Sequence, residues 1–372
     1  MTEDAVVIIW LVLHITGDKV ALYKMVLVFF LLTGNYANAQ TSLDYPNRPI
    51  RIIVAFPPGG SPDFTARVIG QQIGNILQAS VVVENKSGAG GNVGTQYVAT
   101  SKPDGYTLLV NSSAFTVNPS LYGPKAGYVP ERDFTYIAVV SKQPNVVSVN
   151  DKVSAKSLAE LKILSVKEKL AFSTPGSGTT PHLTCANLFH GIWKEDVTHI
   201  PYKGAGPASL AVASGETPIG CTAAFGVLQF AKQGKVRILA ITSDKRNPNL
   251  PDVPTFMELG YPQINDYTLS GFFAPKGTPK EIVEKLNQVI NQALELSDVK
   301  DKFDKAGLIP VGGSLAQTST YIASELKNIN HILHPLDMIP NIDYDLLTLN
   351  GMFNTSLKSK IYYRLSLKNN LK

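Results

Sequence analysis

The stretch from Ile52 to Asp63 constrains the fold more than any other part of the sequence. It reads Ile-Ile-Val-Ala-Phe-Pro-Pro-Gly-Gly-Ser-Pro-Asp. The apolar run up to Phe56 predicts a short buried strand, which two prolines and two glycines end. Ser61 predicts a helix N-cap, with Pro62 in the first turn of a helix whose apolar residues follow at helical spacing. A strand, a glycine turn and a helix N-terminus favour an anion at one point, although an ordinary βα loop has the same pattern.

The same design recurs along the chain. Loops rich in glycine and hydroxyl residues follow predicted strands at residues 87–94, 111–114 and 174–182. Strands that alternate with helices and carry few charges predict an α/β fold of doubly wound, parallel sheets. Ligands of such sheets bind at the carboxyl ends of the strands, where all these loops lie, so the pattern predicts a single cleft.

Two strands are candidates for crossing between domains. The run from Phe134 to Val149 is long and alternating, and Pro144 lies near its middle. A proline there is unusual in a central strand and indicates a strand that changes domain. The predicted strand from Val236 to Thr242 is the second candidate.

Composition and charge narrow the class of protein. The chain has 372 residues, of which 44% are hydrophobic and 17% charged, so it can bury the cores of two domains. Its net charge of +5 equals the contribution of residues 351–372, which carry five basic and no acidic side chains. The near-neutral remainder argues against a nucleic-acid-binding face.

The first 39 residues resemble a targeting region. A short apolar core from Met25 to Leu32 precedes Ala37-Asn38-Ala39, a small-x-small cleavage site. This core is far shorter than the roughly 20 residues of a membrane span. We therefore expect export to the periplasm with cleavage after Ala39, and Met25 is a candidate for the true start.

The sequence predicts no metal, cofactor or catalytic group. No Cys and His residues have metal-ligand spacing, and Cys185 and Cys221 lie in apolar contexts that favour buried free thiols, although an exported protein can pair them. The glycines of Gly88-x-Gly90-x-x-x-Gly94 depart from the dinucleotide-binding spacing. Enzyme signatures such as a nucleophile elbow are absent from the sequence.

Several motifs, taken in order, resemble the Bug-type extracytoplasmic solute receptors of tripartite tricarboxylate transporters. The resemblance covers residues 45–326. The motifs are Phe56-Pro57-Pro58-Gly59-Gly60-x-x-Asp63, Val82-Val83-Glu84-Asn85-Lys86-x-Gly88-Ala89-Gly90-Gly91-Asn92, Pro103-Asp104-Gly105-Tyr106-Thr107, Gly176-x-Gly178-Thr179-x-x-His182, Pro201-Tyr202-Lys203-Gly204, Leu250-Pro251-Asp252-Val253-Pro254-Thr255 and Gly271-x-x-Ala274-Pro275-x-Gly277-Thr278-Pro279.

The resemblance implies a periplasmic binding protein-like fold, in which two doubly wound α/β domains joined by crossing strands close on a ligand. Domain I is expected at residues 44–143 and 242–327, and domain II at 144–241. Residues 328–372 depart from the family pattern and indicate a frameshift or an extension. The implied ligand is a small organic carboxylate, and the implied partners are membrane transporter subunits that receive it from a monomeric receptor.

The residues expected to contact the ligand lie in these motifs and at the strand ends. Among them, Asp63 is expected to orient its loop, because a bare carboxylate repels an anionic ligand. Thr222 replaces an aspartate that takes the ligand's amine in amino-acid-binding relatives, so we expect a ligand without an ammonium group, with an aromatic acid against Phe225 as one option. The set is Phe56, Gly59, Gly60, Asp63, Ser112, Ser113, Gly176, Gly178, Thr179, His182, Tyr202, Thr222, Ala223 and Phe225.

Three alternatives remain open from the sequence. The receptor can present its carboxylate to a sensor kinase rather than to a transporter. An enzyme with a dinucleotide-type fold is a weaker alternative, because the glycine spacing is wrong and no acidic residue follows the next strand. The unusual ends of the chain also leave a nonfunctional gene remnant open.

Overall fold

The computed structural model describes residues 45–333. The chain divides into two compact units, Met1–Asn47 and Arg48–Lys372, and residues 45–47 are the described part of the first. The predicted targeting region, its cleavage after Ala39 and the predicted tail from residue 334 onward lie outside the described residues. Within residues 45–333, every helix falls short of the combined length and apolar content that a bilayer span requires.

The strands of the second unit form one mixed sheet, and eight of them were predicted to within two residues. The strand Tyr267–Pro275 was not predicted, because Gly271 and two adjacent phenylalanines interrupt its alternation. The strands are β1 Ile50–Val54, β2 Val81–Asn85, β3 Thr107–Ser112, β4 Phe134–Asn150, β5 Ala171–Thr174, β6 Thr198–Pro201, β7 Ile219–Ala223, β8 Val236–Ile241, β9 Tyr267–Pro275 and β10 Ile309–Pro310.

Helices connect most of these strands. A short helix predicted between Pro248 and Gly260 is wrong, because those residues form turns held by a bridge from Ile241 to Thr255. The last helix continues past residue 327. The helices are α1 Ser61–Leu77, α2 Asn92–Ala99, α3 Ala114–Tyr122, α4 Pro130–Asp133, α5 Leu158–Lys167, α6 Thr180–Ala186 with a π-helical continuation Asn187–Trp193, α7 Ala205–Ser214, α8 Ala224–Lys232, α9 Lys280–Glu295, α10 Ser297–Lys305 and α11 Leu315–Leu333.

The sheet has the strand order β2-β1-β3-β9-β4-β7-β5-β6, and both β8 and β10 also pair with β4. The pairs β2-β1-β3 and β6-β5-β7 are parallel, as the alternating pattern predicts. The central strands β4 and β9 are antiparallel to their neighbours, so the prediction of purely parallel sheets is wrong at the centre. The α/β fold class itself is confirmed.

Strand β4 is shared by two groups of strands. Its residues from Phe134 to Pro144 pair with β9, and its residues from Asn145 to Asn150 pair with β7 and β8. The partner changes beside Pro144, which lacks an N–H group for the ladder. We call β1, β2, β3, β9, β10 and the start of β4 the first strand group, and β5 to β8 with the end of β4 the second strand group.

The second predicted crossing does not occur within a strand. Strand β8 pairs only with β4 residues 146–150, and the chain returns to β9 through residues 242–266. The predicted domain boundaries stay a prediction.

Each strand group has its own apolar core. In the first group, the ring of Phe115 stacks on Phe273 at 4.0 Å between centroids and meets Phe134 edge-on at 5.2 Å. In the second group, Phe172 and Phe189 pack beside the buried cysteines. Burial of each such side chain contributes about 1.5–3 kcal/mol.

The two cysteines form a disulfide between α6 and β7, so the prediction of free thiols is wrong. Their side chains are buried as predicted, and their Cα atoms lie 6.3 Å apart, within the range for a disulfide. The sequence shows two apolar contexts 36 residues apart but does not show that α6 packs on β7. The bond ties together two elements of the second strand group.

Removing the disulfide is expected to lower the free energy of unfolding by about 3–4 kcal/mol, because the bond restricts a 36-residue loop in the unfolded chain. Urea unfolding of the full chain and of the Cys185→Ala, Cys221→Ala double variant measures this. Reductant added to the double variant is the control and should change nothing. A loss below about 1 kcal/mol would contradict the prediction.

Candidate functional site

The predicted turn after β1 leads directly into α1. Gly59 has a φ of 88°, which favours glycine, and Gly60 rather than Ser61 is the N-cap. The Phe64 N–H donates the first intrahelical bond, to the Gly60 carbonyl at 3.0 Å. The N–H groups of Ser61 and Asp63 come before that bond and have no partner within the helix. The N-terminus of α1 therefore presents donors and the positive end of a 17-residue helix.

Asp63 holds this turn in place, as expected from the sequence. Its carboxylate accepts hydrogen bonds from the Gly59 N–H at 3.1 Å, from Arg67 at 3.1 Å and from the Asn85 amide at 2.9 Å. Burial by itself raises the pKa of the Asp63 carboxyl, but the hydrogen bonds from Arg67, Asn85 and Gly59 outweigh it, so the pKa lies below its usual value. The side chain does not line the cavity described below.

A small cavity lies where the two strand groups meet. It has a volume of about 40 Å³, and one water needs roughly 10–15 Å³ of such space, so it holds a few waters or one small polar group. None of the residues that line it carries a charged side chain. They are Phe56, Pro57, Gly60, Ser61, Pro62, Ser112 and Thr268 from the first group, and Pro175, Thr179, Thr180, Pro181, Ala205 and Ala223 from the second.

Strand β4 fixes the distance between the two walls. Thr268 of β9 lies opposite Gln143, and Ala223 of β7 lies opposite Asn145. Gln143 and Asn145 are two residues apart on one face of a strand, which places them about 7 Å apart. Each strand group thus contributes one lining residue that pairs with β4, and the two β4 positions are two residues apart.

Direct contacts join the walls around the cavity. The hydroxyls of Thr180 and Thr268 are 2.6 Å apart, and the Phe225 N–H donates to the Gln143 amide oxygen at 2.9 Å. The ring of Phe225 also packs on Phe64 with centroids 5.2 Å apart. These contacts hold the two groups together over the cavity.

A second helix N-terminus faces the cavity from the other wall. Gly204 caps α7 with a φ of 115°, and a Cβ on it would lie 3.1 Å from Pro57. Glycine therefore allows both the backbone conformation and the close approach to the first wall. Ala205, the first residue of α7, lines the cavity, and its N–H comes before the first bond of the helix, from Ala208 to Gly204.

The structure brings five of the fourteen predicted residues to the cavity wall and places nine elsewhere. The five are Phe56, Gly60, Ser112, Thr179 and Ala223. The nine that do not line it are Gly59, Asp63, Ser113, Gly176, Gly178, His182, Tyr202, Thr222 and Phe225.

Ser113 and Thr222, two of the nine, are each next to a lining residue in the sequence. The Ser113 hydroxyl accepts from the Leu269 N–H at 2.9 Å and donates to the Tyr267 carbonyl at 3.3 Å, so it binds β9. Thr222 points away from the cavity wall formed by Ala223, and its hydroxyl has no hydrogen-bond partner among the described residues. Alternation of side chains along β7 separates Thr222 from Ala223. Ser113 lies beyond the end of β3, where the backbone already has helical angles.

His182 packs beneath the cavity and does not line it. Its Nδ1 accepts from the Gly178 N–H at 3.4 Å, and its ring stacks on His199 at 4.1 Å. Burial lowers the pKa of His182 to about 3, and the neighbouring His199 adds to this effect. The imidazole is therefore neutral at neutral pH and supplies no cation to the site.

The other predicted residues support the loops. The Gly176 carbonyl accepts from the Thr179 hydroxyl at 2.7 Å. Tyr202 donates its phenolic proton to Glu216 at 2.7 Å, away from the cavity. The ring of Phe225 packs on the ring of Phe64 and is not part of the cavity wall.

Sequence reasoning missed eight lining residues. Thr268 lies on the unpredicted strand β9, and Ala205 follows the Tyr-Lys-Gly turn, whose glycine was the available signal. The remaining six stand in or beside predicted turns, where Ser61 and Pro62 were predicted to begin a helix but were not predicted to contact the ligand. They are Pro57, Ser61, Pro62, Pro175, Thr180 and Pro181.

Comparison with known proteins identifies the family. Residues 65–338 match the family described as "Tripartite tricarboxylate transporter family receptor". BugT of Bordetella pertussis is 37% identical over 307 residues, which cover 81% of this chain and 93% of BugT. This chain therefore belongs to the tripartite tricarboxylate transporter receptor family, as its motifs predicted.

Two solved structures support the same fold. A protein of R. palustris solved with adipate has a TM-score of 0.76 and 29% identity, and covers 79% of this chain and 99% of its own. MatC from Rhodopseudomonas palustris, with bound malate, has a TM-score of 0.73 and 30% identity, and covers 78% and 100%. The fold is that of periplasmic binding proteins, and the receptors of this family are periplasmic.

The Asp63→Asn variant is expected to lose about 1–3 kcal/mol of stability at pH 7, because it weakens charge-assisted hydrogen bonds to three groups. A lowered pKa contributes stability above the unfolded value of about 3.9, and this is lost as pH falls through the folded pKa. Urea unfolding should therefore show a full difference at pH 7 that shrinks below about pH 4.

The exposed Asp252→Asn variant makes the same chemical change without these partners and is the matched control. It should stay within about 0.5 kcal/mol of the parent protein. Equal losses in the two variants would contradict the role of Asp63 in holding the turn.

Proposed function

We propose that the protein captures a small organic carboxylate in the cavity between its strand groups and delivers it to a tripartite tricarboxylate-type membrane transporter. The observation that carries the proposal is a neutral wall with two helix N-termini, those of α1 and α7, facing a single cavity. Such N-termini stabilise negative charge through free N–H groups and the helix dipole. In this proposal the protein acts as a receptor rather than as an enzyme.

The donors in the wall are sufficient for a useful affinity. Ser61 and Ala205 bring backbone N–H groups, and Ser112 brings a hydroxyl. A hydrogen bond to a charged group contributes about 1.5–3 kcal/mol, so three of them supply about 5–9 kcal/mol. Micromolar binding needs about 8 kcal/mol. A buried arginine is therefore not required.

The relatives support the chemical class of the ligand. One family member was solved with adipate and another with malate, and both are carboxylates. The wall of this cavity carries no carboxylate side chain that would compensate a ligand ammonium group. We therefore propose an acid without an ammonium group. The place of Phe225 against Phe64 gives no support to an aromatic acid at that position.

Capture requires the walls to separate. The contacts from Thr180 to Thr268 and from Phe225 to Phe64 close the cavity in this structure. We propose that the two strand groups are the two predicted domains, residues 44–143 with 242–327 and residues 144–241, and that they open about β4 and the segment 242–266. The exported, monomeric receptor would then present its closed form to the transporter in the periplasm.

A thermal-shift screen of the full chain tests the proposal. Mono-, di- and tricarboxylates form the test panel, and amino acids and neutral sugars are the controls. A ligand at 100 times its dissociation constant adds about 2.7 kcal/mol, which should raise the melting temperature by roughly 5 °C. A saturable rise with carboxylates alone supports the proposal. A cooperative melt that no carboxylate shifts would overturn it.

A charge placed in the wall should abolish binding. In the Ala223→Asp variant, a carboxylate at the end of β7 would face the ligand, and like charges about 4 Å apart repel by about 4 kcal/mol at a protein surface. We expect the affinity for the acid found in the screen to fall by at least about 100-fold. Calorimetric titration measures this.

Ala223→Asn has nearly the same shape without the charge and is the matched control. It should bind the acid more tightly than Ala223→Asp by at least about tenfold. Equal affinities in the two variants would indicate that size, not charge, controls the site.

A further inference from the structure

A chain of polar side chains connects Asp266 to the cavity. The Asp266 carboxylate lies 2.9 Å from the Asn145 amide nitrogen and 2.7 Å from the Thr184 hydroxyl. The Asn145 amide oxygen lies 2.7 Å from the Thr268 hydroxyl, which lies 2.6 Å from the Thr180 hydroxyl. Thr268 and Thr180 both line the cavity, so the chain runs from a carboxylate behind the wall to the ligand space.

The carboxylate fixes the direction of every hydrogen bond in this chain. Burial raises the pKa of the Asp266 carboxyl, and hydrogen bonds from Thr184 and Asn145 oppose this effect. In the observed geometry the Asp266 carboxyl oxygens accept, and the Asn145 amide turns its NH₂ group toward Asp266 and Thr184. The Asn145 oxygen then faces Thr268 and accepts its proton. Because Thr268 donates its single hydroxyl proton to Asn145, it can only accept from Thr180. The Thr180 proton therefore points to Thr268.

The hydroxyls of Thr179 and Thr180 in the second strand group therefore offer acceptors to the cavity. The only hydroxyl proton of Thr180 is committed to Thr268, so its oxygen presents lone pairs. Thr179 likewise donates its proton to the Gly176 carbonyl at 2.7 Å. A ligand atom that meets these two hydroxyl oxygens must bring its own hydrogen-bond donor.

Donors lie on the opposite wall and at the start of α7, where the Ala205 N–H comes before the first bond of the helix. The Ser112 oxygen accepts from the Ala114 N–H at 3.2 Å, which leaves the hydroxyl proton of Ser112 for the ligand. The Ser61 N–H comes before the first intrahelical bond of α1. The cavity thus has a donor side, made of Ser61, Ser112 and Ala205, which suits a carboxylate, and an acceptor side, made of the Thr179 and Thr180 hydroxyls, which does not.

We propose that the ligand is a hydroxy acid, whose carboxylate binds the donor side and whose hydroxyl donates to Thr180. This rests on the proposed function and specifies the acid. A hydroxyl suits the acceptors better than an ammonium group, because no lining residue is anionic and the Asp266 carboxylate is already occupied by Asn145 and Thr184. A second ligand carboxylate beside Thr179 and Thr180 would place its lone pairs against those of the two hydroxyl oxygens. Asp266 acts as a positioning residue that sets the polarity of Thr180.

Pairs of acids that differ only in a hydroxyl group test the proposal on the full chain. Malate against succinate, lactate against propionate and citrate against tricarballylate are titrated by calorimetry, with both enantiomers where they exist. In at least one pair, the hydroxy acid should bind about five- to tenfold more tightly, the effect of one neutral hydrogen bond. Equal affinities in every pair overturn the proposal while leaving the proposed function standing. Absence of binding by any acid overturns both.

Variants of Thr180 identify the atom responsible. Thr180→Val keeps the shape but removes the acceptor, so the two acids of a pair should bind this variant with about equal affinity. Thr180→Ser keeps the hydroxyl and should retain the preference. Ser112→Ala is the matched control on the donor side, and it should weaken both acids of a pair by the same factor. A preference that survives in Thr180→Val overturns the assignment to this residue.

Asp266→Asn tests the control of polarity from behind the wall. Its amide can donate to Asn145, which would turn over and release the Thr268 proton toward Thr180. Thr180 would then present its own proton to the cavity, and the preference should vanish or invert toward the acid without the hydroxyl. An unchanged preference in a folded Asp266→Asn protein overturns the role of Asp266. The Thr180 variants decide the ligand class even where Asp266→Asn does not fold.

Discussion

The hydrogen-bonded continuity of β4 is the constraint on which the rest of the structure depends. One strand of 17 residues serves two strand groups, and it exchanges partners beside a proline that cannot donate to the ladder. Because Gln143 and Asn145 pair with Thr268 and Ala223, the strand registers both walls of the cavity on adjacent positions. The two walls are therefore held in a fixed register by a single strand.

The cavity wall carries no charged side chain. Burial of a lone cation opposite an anionic ligand would cost several kcal/mol of desolvation in the empty receptor. Backbone N–H groups at the starts of α1 and α7 avoid this cost, because they are dipoles fixed by the helices rather than free charges. The charged groups stay behind the wall, where Asp63 holds one turn and Asp266 orients a chain of hydroxyls. Their influence reaches the cavity wall through the direction of hydrogen bonds.

The fold was largely predictable because its signals are local. Apolar runs, glycine turns and helical spacing gave eight strands to within two residues, and the motifs gave the family. The errors came from contacts between distant segments. The disulfide joins α6 to β7. Strand β9 is interrupted in its own alternation of apolar and polar residues, but it forms because it pairs with β3 on one side and β4 on the other. Five of the fourteen predicted site residues line the cavity. Ala223 lines it and Thr222 does not, because a shift of one residue along a strand turns a side chain to the other face.

The sequence by itself determined the α/β class, the glycine turn that leads into α1 and the family, because each depends on local patterns along the chain. The tertiary structure alone decided which side chains meet and which way their protons point. Thr180 and Thr268 stand 88 residues apart in the chain, and their 2.6 Å contact follows from the way β4 registers β9. The polarity of that contact follows in turn from Asp266, Asn145 and Thr184. Hydrogen-bond direction is a property of a closed network, so no single residue in the sequence contains it.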